Sequence, residues 1–336
     1  MAIPLSLLLA FASIGIIASI KWVYSLIRFI ELHFLHTRHP LAVYQRSRRP
    51  AYALITGASA GIGLGTATAL AHQGFGVILI GHLPDELALA KDFIRAQVRG
   101  AKVETVVLNA ITASSSSVQK LASDLFAKDF AISVIINNVG GMPISNTPFR
   151  PFSTYLASDI DRVIDMNARF MAQLTVNMIP LLNAHRSSPL ERSLVLSLTS
   201  AAAVGLPYLT MYSATKAFDL GLACGLAREF EMVPETAHID SLAVMPGEVR
   251  SQGNCLGVPK GAPKWYSYGC LIVKTVDVAV RQGRRILVPY WLHHVQIRAM
   301  DYIPEKLLTR EVAKTAILKR DEFNARHEQT RSTEMK

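Results

Sequence analysis

Tyr212 and Lys216 lie four positions apart in the run YSATK. On a helix that spacing puts a phenol and an ammonium on one face, where the pair can pass or hold a proton. Spacing alone leaves the role open. Tyr302 and Lys306 in YIPEK share it, with the helix-breaking Pro304 between them. A second chemistry-bearing stretch is TGASAGIG, Thr56 to Gly63, with glycines at 57, 61 and 63. Glycine permits a tight turn and lets the backbone approach a pyrophosphate. A helix start directly behind it offers free N–H groups and a positive dipole end. An apolar run precedes this loop and a helical pattern follows it, the context a dinucleotide loop requires. Gly57, Ser59, Gly61, Ile62 and Gly63 are the expected cofactor contacts.

The end of the next apolar run bears on which dinucleotide is held. An acid there would bind the ribose 2′-OH and favour NAD. The sequence has Gly81-His82-Leu83 instead, and the first acid is Asp85, beyond Pro84. No carboxylate is expected to repel a 2′-phosphate, and His82 and Ser59 are placed to contact one. NADP(H) is the expected cofactor, with NAD(H) left open.

These groups need elements to position them. Short apolar runs recur at AYALITG (51–57), GVILIG (76–81), KVETVVLN (102–109), SVIINN (133–138), SLVLSLTS (193–200) and HIDSLAVMPG (238–247). RRILVPY (284–290) is a candidate seventh. Helical patterns separate them, including one long stretch, 157–182, that carries Asn167. Strands alternating with helices imply βαβ units and a parallel sheet covered on both faces. The expected fold is a doubly wound parallel α/β sheet of about seven strands.

Composition narrows the class. Half of the 336 residues are hydrophobic and 18% are charged, which supports a large core and excludes global disorder. Three scattered cysteines, Cys224, Cys255 and Cys270, suggest neither a disulfide framework nor a zinc site. The formal charge of +10 comes without a basic stripe interleaved with aromatics, so nucleic acid is not an expected partner.

From Ala2 to Ile20 the chain carries no charge, and these 19 residues would extend about 28 Å as a helix. Trp22 and Tyr24 follow at interfacial depth, and Lys21, Arg28, Arg38, Arg46, Arg48 and Arg49 all lie on the C-terminal side. A single-pass anchor with the remainder in the cytosol is expected. A cleaved signal peptide would carry a basic start and a shorter apolar stretch; a buried helix is the other alternative. Residues 1–30 are thus anchor and flank, 31–50 a basic juxtamembrane linker, and 51–290 the dinucleotide-binding domain. Residues 291–336 form an amphipathic segment, which could lie on a membrane or over a cleft, followed by a charged tail.

TGASAGIG, NNVG (137–140), Asn167, a serine shortly before YSATK, and PGEV (246–249) together resemble a short-chain dehydrogenase/reductase, over roughly 51–250. The apolar N-terminus, Val139 in NNVG, YSATK itself and VPYWLHHV resemble one branch of it. That branch comprises the membrane-bound very-long-chain 3-oxoacyl-CoA reductases and their 17β-hydroxysteroid dehydrogenase relatives; secondary-metabolite reductases look alike. The resemblance implies a Rossmann-type sheet and hydride exchange between a nicotinamide cofactor and a ketone or secondary alcohol.

It also implies roles. Tyr212 would be the acid/base, and Lys216 would hold the nicotinamide ribose and lower the phenol's pKa. A phenol otherwise titrates near 10, and a neighbouring cation stabilises the phenolate. Ser200 would bind the substrate carbonyl, and Asn167 would hold a water relaying protons to Lys216. Asn138 would contact the adenosine side, and Asn109 would stand where an aspartate often contacts adenine. Val249 and Ser251 would border the nicotinamide. The family usually places its serine thirteen positions before the tyrosine, where this chain has Thr199; Ser200 lies twelve before, so both stay candidates. The implied partners are a lipophilic small molecule, the endoplasmic reticulum membrane and, compatibly, a second copy of the chain. Two other readings are a catalytically inactive nucleotide-binding scaffold and an NAD-dependent oxidative dehydrogenase.

Overall fold

The computed structural model describes residues 5–144 and 147–334. Its strands are β1 Ala51–Thr56, β2 Gly76–Gly81, β3 Val103–Val107, β4 Ala131–Asn137, β5 Ser193–Leu198, β6 Ile239–Val244 and β7 Ile286–Leu287. They form one sheet in the order β3-β2-β1-β4-β5-β6-β7, with every pairing parallel. Every residue of β2, β4 and β5 is buried, as expected for strands covered on both faces. The candidate seventh strand shrinks to two residues at the edge.

On one face lie α2 Gly61–His72, α3 Pro84–Gln97 and α8 Trp265–Arg281. Their apolar sides (Leu70, Leu87, Ile94, Ile272, Val276) close over Ala53, Ile55, Val77 and Leu79. On the other lie α4 Ser115–Ala127, α5 Ala157–Ile164, α6 Phe170–Asn183 and α7 Thr210–Met232. Val118, Leu125, Phe170, Leu174, Met178 and Phe230 pack there against Leu54, Ile78, Ile135 and Val195. The closest helix contact is α2 on α8. A Cβ added to Gly269 would stand 2.3 Å from the Gly65 carbonyl carbon, so the two backbones touch. Order reverses between β1 and β4, and the crevice beyond their carboxyl ends is where such sheets bind ligands.

The N-terminal helix α1, Leu5–Phe34, is one unbroken rod of 30 residues. Its apolar window has a mean hydropathy of 1.9 and no burial against the rest of the chain. The first four residues of the expected anchor lie outside the described residues.

Residues 31–50, expected as a basic juxtamembrane linker, pack on the domain at several points. Leu32, Leu41 and Tyr44 join the core at 0%, 2% and 1% exposure. The Tyr44 hydroxyl donates to Asp240 at 2.8 Å. The Arg46 guanidinium donates to the Arg192 carbonyl and the Ser193 hydroxyl, each at 2.8 Å. Its polar groups are attachment points to the domain.

The C-terminal segment differs as well. Helix α9, Trp291–Met300, buries His293 and His294 on the domain. Helix α10, Glu305–Glu334, replaces the expected charged tail, whose last two residues lie outside the described ones. Its Lys319 is 6% exposed and donates to Glu248 at 2.6 Å and to Asn254 at 3.3 Å. Tyr302 lies between α9 and α10 and is 88% exposed, while Lys306 is exposed in the first turn of α10, so the YIPEK pair shares no helix and no shelter.

Candidate active site

The glycine loop ends β1 and opens α2. Gly57 and Gly61 have φ of +59° and +58°, a region that side chains resist. A Cβ at Gly63 would stand 2.3 Å from the Gly57 carbonyl oxygen and 2.6 Å from Asn138 Nδ2. Beside Gly61 the nearest atom is Ser251 Cβ at 3.6 Å, so the mouth of the loop is open where the interior is tight. The first amides of α2, at Gly61, Ile62 and Gly63, have no intrahelical acceptors, and no acid stands in that first turn. An open cradle with free N–H groups fits a dinucleotide pyrophosphate.

Asn138 supports this loop from beneath. Its amide donates to the carbonyls of Thr56 and Gly57, both at 3.0 Å. Thr56 Oγ1 accepts from the backbone N–H groups of Asn138 and Val139 at 2.9 and 3.0 Å. Asn138 therefore braces the loop, where contact with the adenosine side was expected. Asn109 accepts from the Ile111 amide at 2.9 Å and turns the chain after β3.

One expectation at the adenosine end needs correction: a carboxylate does reach the loop. Pro84 sits in the first turn of α3, a position proline favours, so the helix starts early. That turn brings Glu86 back to accept from Ser59 Oγ at 2.9 Å. His82 is exposed.

At the ends of β5 and β6 the acid/base candidates converge. Tyr212, half-buried, stands in the first turn of α7, and Lys216 follows one turn on at 3% exposure. Lys216 Nζ lies 5.9 Å from the centre of the Tyr212 ring. It donates to the Leu198 carbonyl at 2.8 Å and to Asp219 Oδ2 at 2.9 Å. A Cβ on Gly140 would stand 2.8 Å from that nitrogen, so only glycine lets the NNVG loop lie against it.

The two hydroxyls in question are separated by their partners. Thr199 is 2% exposed and its Oγ1 donates to the Lys216 carbonyl at 2.6 Å. Ser200 caps a 3₁₀ turn, with its Oγ accepting from the Ala202 amide at 3.1 Å. The Thr199 proton is committed, whereas Ser200 retains an O–H to donate.

Asn167 sits in a π turn, Asp165–Arg169, between α5 and α6. Its Oδ1 accepts from the Gly141 amide at 2.9 Å, while Nδ2 donates to the Gly141 carbonyl at 3.0 Å and to Thr215 Oγ1 at 2.9 Å. Both amide protons are used, so the side chain clamps the loop to α7, and a relay water could meet only a spare Oδ1 lone pair. Val249 is buried beyond β6, and Ser251 faces the glycine loop across Gly61. The amide of Gly247 donates to His293 Nδ1 at 3.2 Å, which ties this segment to α9.

The expected residues thus gather along one edge of the sheet, with Asn109 and His82 at its adenosine end. Asp219 was not expected. Its only sequence signal is a carboxylate three positions after Lys216, which on a helix is the same face.

A doubly wound sheet with a glycine cradle and a Tyr–Lys pair beside it defines a dinucleotide-dependent oxidoreductase. The family model of short chain dehydrogenases matches residues 51–255, and the chain belongs to that family. Among curated proteins it is 30% identical over 227 residues to a very-long-chain 3-oxoacyl-CoA reductase of Schizosaccharomyces pombe, covering 66% of this chain and 63% of that protein. It is 26% identical over 284 residues to the enzyme of the same name from Eremothecium gossypii, covering 82% and 78%. The match thus spans less than two thirds of the length of the first relative. Solved structures agree on the fold. A short chain dehydrogenase of Escherichia coli in complex with NADPH superposes with a TM-score of 0.61 at 21% identity, covering 73% of this chain and 97% of that one. The short chain dehydrogenase of Shigella flexneri gives 0.62 at 20%, covering 75% and 93%.

Proposed function

We propose that this chain reduces a ketone on a lipophilic substrate, in the class of the 3-oxoacyl-CoA esters, using NADP(H). The observation that carries the reading is the Tyr212–Lys216 pair, with the ammonium 5.9 Å from the phenol ring, beside the open glycine cradle. When bound there, the nicotinamide would supply the hydride. Tyr212 gives its proton to the carbonyl oxygen as that oxygen gains charge, and Ser200 donates a hydrogen bond to the same oxygen. Lys216 stabilises the phenolate left behind. The opposite direction uses the same groups.

The substrate class rests on the names of the curated relatives and on the exposed apolar length of α1. NADP(H) rests on the open His82 end of β2 and on structural neighbours solved with NADP or NADPH. Glu86 on Ser59 favours a second reading, an NAD-dependent enzyme, because a 2′-phosphate would have to displace that bond. Fluorescence titration with NADPH and NADH followed by turnover on 3-oxoacyl-CoA esters, steroid ketones and smaller ketones decides among these. Tight NADPH binding without turnover of any ketone or alcohol would leave a non-catalytic scaffold.

The α1 helix is read as a membrane anchor of the endoplasmic reticulum, with the catalytic domain on the cytosolic side. Removing residues 1–24, which spares the docking residues from Arg28 onward, should move the chain from a carbonate-washed membrane pellet to the supernatant. A truncated chain that still pellets would transfer the anchoring role to α9 and α10.

A further inference from the structure

Asp219 is the one buried carboxylate that touches the acid/base pair and has no part in the mechanism above. It is 1% exposed, on the face of α7 that carries Lys216. Its Oδ2 accepts from Lys216 Nζ at 2.9 Å, while Oδ1 is buried without a hydrogen-bond partner. Such a group is costly to keep unless it does something. Burial raises its pKa, against the opposing pull of Lys216.

The surroundings are otherwise uncharged. Strand β5 presents the Leu198 carbonyl, the residue just after it the Thr199 hydroxyl, the NNVG loop the backbone of Gly140, and the π turn the amide of Asn167. On α7 itself the titratable groups within two turns of Asp219 on its N-terminal side are Tyr212 and Lys216; Cys224, Arg228, Glu229 and Glu231 follow further along the helix. Lys216 thus lies one helical turn from the Tyr212 phenol, and Asp219 lies two turns from it.

We propose that Asp219 is a positioning residue for Lys216. Its carboxylate fixes the ammonium against the Leu198 carbonyl and sets how much of that positive charge Tyr212 experiences. The proposal rests on the acid/base reading of Tyr212. It adds an unequal pair of charges to that reading: the lysine eases ionisation of the phenol, and the aspartate behind it partly opposes this.

The sign of the test follows. Asp219→Asn keeps the shape and an oxygen that can accept from Nζ, but removes the negative charge. The phenol of Tyr212 should then ionise at lower pH. At about 10 Å, two turns of helix, a unit charge in a protein interior moves a neighbour by about one pH unit. Two readouts apply to the full-length chain in detergent. Ultraviolet difference titration, against the same protein carrying Tyr212→Phe, reads the tyrosinate without any turnover. The pH profile of alcohol oxidation reads it in the working enzyme, where the acid limb should move down by the same amount. Asp219→Glu should restore both midpoints. A purely structural role would lower activity at every pH and leave the midpoints in place. Unmoved midpoints, or a shift to higher pH, overturn the proposal. If Asp219→Asn is insoluble, Asp219→Ser is titrated in its place under the same criteria. If the unaltered chain turns over no carbonyl or alcohol, the function reading fails while the tyrosinate titration still judges Asp219.

Discussion

Tyr212→Phe should cut kcat/KM for ketone reduction roughly 10²–10⁴-fold, with the NADPH dissociation constant changed less than about twofold. The substitution removes one oxygen from a half-buried ring in the first turn of α7. Among the described residues no hydrogen bond uses that hydroxyl, so little of the fold should depend on it. On the proposed acid/base reading the proton donor is what is lost, and the carbonyl oxygen would then gain charge with only the Ser200 hydrogen bond to stabilise it. Steady-state kinetics beside fluorescence titration checks both halves. A variant within fivefold of normal turnover would move the acid/base role off Tyr212.

Gly63→Ala should be nearly as damaging, for a different reason. The added methyl would sit 2.3 Å from the Gly57 carbonyl oxygen and 2.6 Å from Asn138 Nδ2. Asn138 cannot retreat without releasing the Thr56 and Gly57 carbonyls it holds at 3.0 Å. The loop must therefore shift, and overpacking of this kind costs about 1–3 kcal/mol. The expected outcome is weaker NADPH binding by roughly tenfold or more, since 1.4 kcal/mol is a factor of ten, together with a lower melting temperature. Gly225→Ala provides the contrast. That glycine is exposed within α7 with nothing near its Cβ position, and alanine there should stabilise by about 0.5–1 kcal/mol. Equal effects at the two sites would show that the loop is looser than its contacts suggest.

The sheet was readable because its inner parallel strands are buried on both faces and appear as uninterrupted apolar runs, whereas edge strand β3 is largely exposed. The glycine loop was marked by its spacing, and the tyrosine–lysine pair, whose spacing YIPEK shares, was singled out only by its company in the sequence. Charge alone did not show which polar groups are attachment points: Tyr44, Arg46 and, within the mostly exposed α10, Lys319 use their polar ends to hold the chain to the domain. The first acid after β2 was placed at Asp85, beyond Pro84, and Glu86 was not weighed; proline in a first turn starts the helix that carries Glu86 back to the loop. The π turn at Asn167 and the ion pair at Asp219 depend on which faces meet, and a linear pattern does not hold that information. Thr199 and Ser200 are adjacent in sequence and differ only in what each hydroxyl touches.

The N-terminal helix has a mechanical consequence. Its last two turns are fastened to the domain. Gln282 donates to the Arg28 carbonyl at 3.0 Å and to Glu31 at 2.8 Å, and His33 shares a 2.8 Å hydrogen bond with His294. A flexible tether of twenty residues would let the domain wander over about 25 Å, like a boat on a mooring line. A continuous helix fastened at its far end behaves as a mast. With its apolar length in a bilayer, the domain would tilt only as the helix tilts. The crevice beyond β1 and β4 would then keep one height and one compass heading above the lipid surface. An extended acyl chain rising from the membrane would meet the site from a constant angle, so approach geometry becomes a property of the fold and is not left to diffusion.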